Sequence, residues 1–184
     1  MIIDDESARQ AAADTRLWVE KAVIGLNLCP FAKAVQIKGQ VRYAVSDAAD
    51  EEGVLADLED ELMLISQADA EAIDTTLLIL PEALHDFYDF NDFGELSERL
   101  LKRMRLVGEL QVATFHPAFQ FADTDPDDIG NYTNRSPYPT LHILREASID
   151  RAVEAFPEAE TIYEKNIETM ENLGIDGWRK LMQD

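Results

Sequence analysis

Apolar residues recur at two periods along this chain, and the changes from one period to the other lay out an α/β domain. From Ser7 to Leu28 the spacing is helical: Leu17, Ile24 and Leu28 share a stripe beside Trp18 and Ala22, and Ser7 and Gln10 stand at capping-box spacing. Cys29-Pro30 interrupts this helix, and Pro30 can open a further helical segment, FAKAV. Val41, Tyr43 and Val45 alternate as in a half-buried strand. A helical stripe follows through Val54, Leu55, Leu58, Leu62 and Ile65, then the apolar run TTLLIL from Thr75 to Leu80. Such a strand–helix–strand unit joins parallel strands. A second crossover helix runs through Phe93, Leu96, Leu100, Met104 and Val107 and should stop at Gly108.

The third strand ends at His116, with Leu110, Val112 and Thr114 on one face and Gln111, Ala113 and Phe115 on the other. The fourth is Pro139–Arg145, where Leu141 and Ile143 oppose Thr140, His142 and Leu144. Helices resume at Ser148 and after Pro157. Ile162, Asn166, Met170 and Leu173 precede Gly174, and Trp178 with Leu181 makes a last turn packed on the body. The expectation is an α/β fold with a four-stranded mixed sheet packed with helices. It is a single domain over 1–184, with residues 1–6 a loose terminus and neither repeats nor a linker.

Composition narrows the partners. A hydrophobic share of 46% suffices for a packed core. The formal charge of −21, from 37 acidic and 16 basic residues, repels nucleic acid and anionic membranes. No apolar stretch approaches the roughly 20 residues that cross a bilayer. One cysteine excludes an internal disulfide, and the amino terminus has no basic region followed by an apolar run, so a soluble, cytoplasmic protein is expected. In so acidic a chain, an inward-facing arginine gains importance.

The candidate chemistry gathers in LNLCPFAK and in the segment Phe115–Glu146, which holds two of the three histidines and four prolines. Cys29, before a Pro-initiated turn and near Lys33, reads as a nucleophile or redox thiol, or as a small buried hydrophobe. His116, at a strand end and before a proline, reads as a general base, a metal ligand or a structural hydrogen-bond post. His142 lies in a strand and is a further catalytic candidate. Arg145, three positions on, falls on the opposite face, as a ligand-binding group or the partner of Glu146 in a structural ion pair.

NRSPYP offers Asn134, Arg135 and Ser136 on a loop stiffened by Pro137 and Pro139. The guanidinium fork suits a carboxylate or phosphate, unless Arg135 pairs with Asp123, Asp125 or Asp127. Those aspartates begin like a calcium loop, but Asp128 replaces the required glycine and Asn134 the bidentate glutamate. His85 belongs at the surface or in a cap.

LCPFA, FHPAFQF, NRSPYP and LHILRE, in that order and over nearly the whole chain, resemble the bacterial family called domain of unknown function 1415. The resemblance implies no activity. It supports treating Cys29, His116, Asn134, Arg135, His142 and Arg145 as one group. The resulting expectation is a small-molecule enzyme with Cys29 as nucleophile, His116 as base, and Asn134 and Arg135 holding an anionic group of the substrate. The alternatives are a non-catalytic metabolite-binding module, or a metal protein using Cys29, His116 and His142. The residues name no cofactor and no oligomeric state.

Overall fold

The computed structural model describes residues 4–183. Asp4 caps the first helix, α1 (Asp5–Trp18), its carboxylate accepting from the Ser7 amide at 2.7 Å. The cap thus lies three residues ahead of the expected Ser7, and part of the expected loose terminus forms the first turn; residues 1–3 lie outside the described residues. Asp5 and Glu6 also complement the positive end of the helix dipole. The helix then widens into a π-helical turn, Val19–Ile24.

β1 (Val41–Val45) and β2 (Thr75–Ile79) pair in parallel across α3 (Glu51–Gln67), as the periodicity implied. From β2, α4 (Phe87–Met104) leads to β3 (Leu110–Phe115), but β3 does not pair with β2. β4 (Thr140–Arg145) fills the gap, antiparallel to both neighbours, giving the order β1-β2-β4-β3. The second crossover therefore skips one strand position, and the last strand in sequence is a central one.

The two-residue period sends alternate side chains to opposite faces of this sheet. Ala44, Leu78, Leu110, Leu141 and Ile143 meet α3 and α4 in one core, around Leu58, Leu62, Phe90 and Phe93. The other face carries Leu77 and, among its partners, Trp18, Val19, Ala22 and Leu28. α6 (Ile162–Gln183) closes that side with Met170 and Trp178, bending at Gly174, whose φ of 68° is accessible to glycine at little cost. The stop after α4 comes earlier than expected: Arg105, with φ 59°, ends the helix, and Gly108 lies in the turn beyond it. α5 (Glu146–Ala155) likewise starts two residues before Ser148. Among the described residues no helix is long and apolar enough to cross a membrane.

Arg145, at the end of β4, makes no ion pair with Glu146. Its Nε and Nη2 donate to the carbonyls of Ile65, Ala68 and Ile73 at 2.9–3.1 Å. Carbonyls at a helix C-terminus lack intrahelical donors and carry partial negative charge, so the guanidinium satisfies the end of α3 and ties it to the sheet. Arg145→Ala should lower unfolding stability by about 2–4 kcal/mol in urea titrations. Arg145→Lys should recover only part, because one ammonium cannot serve three carbonyls in a fixed fork. A loss below about 0.5 kcal/mol for the alanine variant, the range of ordinary surface substitutions, would contradict this role.

Candidate functional site

On the α1 side of the sheet, beneath α2 (Ala32–Ile37) and α5, lies a cavity of about 380 Å³. Sequence pattern explains its lining. Thr75, Leu77, Gln111, Ala113, Phe115, His142 and Leu144 share one face of three adjacent strands, and Ala113 stands opposite His142 in the register. A methyl group at position 113 leaves the imidazole side open. Trp18, Val19 and Val23 wall the cavity from the helix, and Ile149 and Ala152 from α5. Ser148 donates to the Asp74 carboxylate at 2.6 Å and anchors α5, a helix without a buried residue, against β2. Phe31 and Phe156 meet edge-on at 6.0 Å, linking the entry to α2 with the end of α5.

The protonation of His142 follows from counting hydrogens. Thr75 Oγ1 lies 2.7 Å from the Ile143 carbonyl and 2.7 Å from His142 Nε2. A carbonyl only accepts, so the single hydroxyl hydrogen goes to it, and the imidazole supplies the hydrogen of the other bond. His142 is therefore the Nε2–H tautomer. Nδ1 keeps its lone pair and, among the described residues, has no hydrogen-bond partner. Burial among apolar groups disfavours the imidazolium and pushes the pKa down to about 4, so the ring is neutral at physiological pH.

Cys29 lines the same cavity. Its loop is set by Asn27 in the left-handed region, φ 53°, and by Asn166, which donates to the Leu28 carbonyl at 2.9 Å. No hydrogen bond joins the thiol to His142. Lys33 is exposed and not part of the lining. Gln111 faces the cavity with its amide making no hydrogen bond within the described residues.

His116, expected as the base beside Cys29, is elsewhere. It is 1% exposed and packed against Phe87 and Phe90, with Nδ1 accepting from the Ala118 amide and Nε2 donating to the Leu84 carbonyl, both at 3.0 Å. With both nitrogens engaged, it serves as a structural post, and burial lowers its pKa. Asn134 is tied to β3, its carbonyl accepting from the His116 amide at 3.1 Å. Ser136 is buried and donates to the Tyr138 carbonyl at 2.6 Å. Arg135 borders a second recess, apart from Cys29 and His142. Arg145 lies on the opposite sheet face, as its position in the strand implied.

The group of six thus separates. Cys29 and His142 share one cavity, Arg135 borders another recess beside Ser136, and His116, Asn134 and Arg145 hold backbone together. Among the described residues no three His, Cys, Asp or Glu side chains converge as metal ligands, so the Cys29–His116–His142 set is not assembled, and neither are the loop aspartates.

A family model described as "Protein of unknown function (DUF1415)" matches residues 10–180. The chain belongs to this family. No curated protein and no solved structure matches it. The DUF1415 cavity also uses residues that the sequence did not single out: Thr75, Asp74, Gln111, Ser148 and Trp18. Thr75 had a faint signal, a threonine pair opening an otherwise apolar strand; the others had none.

Because folding lowers the His142 pKa below the free value of about 6.5, the unfolded chain binds the extra proton between the two values. The stabilisation is fully present above about pH 6.5 and is lost as pH falls through about 4. Wild type should therefore lose up to about 3 kcal/mol more than His142→Gln over that interval. Urea unfolding at a series of pH values measures this, and parallel curves for the two proteins would show that His142 is not the buried neutral base described.

Proposed function

We propose that the DUF1415 protein binds a small, uncharged, mostly apolar molecule in the Cys29–His142 cavity, and that His142 Nδ1 accepts a hydrogen bond from a hydroxyl or N–H group of that molecule. The observation that carries this reading is the unengaged lone pair of a neutral imidazole facing an apolar space. An unengaged acceptor in an apolar wall selects ligands that offer it a donor. No arginine or lysine lines the cavity, which argues against an anion there. Burial provides most of the affinity: about 200 Å² of apolar ligand surface is worth roughly 5 kcal/mol before the costs of association. The hydrogen bond adds about 1 kcal/mol and supplies the selectivity.

The thiol in the same wall supports a second reading, an enzyme in which Cys29 attacks the bound molecule. His142 is poorly suited to activate it. A base whose conjugate acid has a pKa of about 4 lies more than four units below a free thiol at about 8.5, too weak to take that proton. Cys29 would then attack only ligands that are already strongly electrophilic.

Thermal-shift titration with phenol and with toluene, near-isosteres differing in one donor, tests the reading. Phenol should bind roughly tenfold more tightly than toluene at neutral pH and lose that advantage as pH falls below about 4. Ala113→Leu should abolish binding by filling the space beside His142 without lowering the melting temperature. Bound phenol should also slow N-ethylmaleimide labelling of Cys29. Equal affinity for the two probes, or unaltered phenol binding by Ala113→Leu, would sink the proposal.

A further inference from the structure

Trp18 borders not only the His142 cavity but also a second recess, of about 350 Å³, with Tyr132, Arg135, Trp178 and Met182. This recess is the electrostatic opposite of the first. Arg135 holds its own loop: Nε donates to the Phe119 carbonyl at 3.1 Å and Nη2 to the Pro126 carbonyl at 2.7 Å, while the guanidinium lies 4.3 Å above the Tyr132 ring. A guanidinium has five N–H donors, so these two bonds leave three uncommitted. Four aspartates, Asp123, Asp125, Asp127 and Asp128, occupy the same loop, yet among the described residues no carboxylate lies within ion-pair distance of Arg135. The ring stacking and the two carbonyls fix the fork in one orientation and leave its charge uncompensated. The indole N–H of Trp18, itself 1% exposed, also has no acceptor among the described residues.

We propose that this recess binds a small monocarboxylate with a flat apolar body, its carboxylate on the free donors of Arg135 and its body against Trp178 and Met182. A planar fork matches a carboxylate in two-point fashion, and aromatic walls remove apolar surface from water. The charge of −21 limits the ligand further. Its field opposes every incoming negative charge, so one short-range contact can outweigh the cost for a monoanion more readily than for a multiply charged phosphate.

Both tryptophans of the chain border this recess, so their fluorescence reports on it. The probes are phenylacetate and its neutral amide, phenylacetamide, at neutral pH and low salt, titrated in wild type and in Ala113→Leu, whose His142 cavity is filled, with inorganic phosphate as a third titrant. Phenylacetate should change the emission saturably and bind roughly tenfold or more tightly than the amide, the advantage shrinking with added salt. Inorganic phosphate should not displace it. Arg135→Lys should weaken phenylacetate binding by a similar factor, with circular dichroism confirming a native fold. If that variant does not fold, the acid–amide comparison in Ala113→Leu decides alone. His142→Gln should bind phenylacetate as wild type does, which separates this site from the cavity. The proposal is overturned if acid and amide bind equally, if a folded Arg135→Lys keeps full affinity, if phosphate competes at equal strength, or if His142→Gln abolishes the response.

Discussion

The antiparallel insertion of β4 between β2 and β3 determines nearly everything that follows in this molecule. A central strand pairs on both edges, so its register is fixed twice, and with a period of two that also fixes which side chains face which layer. His142 is thereby held between Leu77 and Ala113 in mid-sheet, and the hydroxyl that orients it comes from Thr75, one row along. Arg145, three residues further, is sent to the opposite layer, where it ends α3. A shift of β4 by one residue would reverse all of these placements.

The two recesses sharing Trp18 show how one scaffold can hold opposite chemistries a few residues apart. In the first, apolar burial keeps an imidazole neutral and leaves one lone pair to be read. In the second, a guanidinium that cannot be neutralised is held in place by carbonyls and an aromatic face, not by a carboxylate. An ion pair would have consumed the charge. Neutral carbonyls orient the fork and leave the charge available.

Periodicity made much of the fold legible. The β1-α3-β2 crossover, the alternation of β3 and β4 and the opposite facing of His142 and Arg145 all follow from local spacing, which is what a half-buried strand or helix must display. Strand order was not legible, because which strand fills the gap beside β2 depends on contacts far apart in sequence. His116 shows the same limit. Its strand-end position and following proline left a general base, a metal ligand or a structural post open, but α4 brings Phe87 and Phe90 over the ring and Leu84 supplies its acceptor. Arg145 was expected to bind a ligand or to pair with its neighbour Glu146, whereas its hydrogen-bond partners lie more than seventy residues earlier in the chain. Among the cavity residues, Cys29 and His142 stood out by chemical type alone; Gln111, Asp74 and Ser148 are ordinary residues made special only by where the sheet and α5 put them.

The neutral Nε2–H tautomer of His142, with Nδ1 open to the cavity, is the claim on which the functional reading rests. Nitrogen-15 NMR of histidine-labelled protein at neutral pH measures it directly, with His142→Gln giving the assignment. A protonated Nε2, an unprotonated Nδ1, and an Nδ1 resonance that moves when phenol occupies the cavity are expected. An Nδ1–H tautomer or an imidazolium would contradict it.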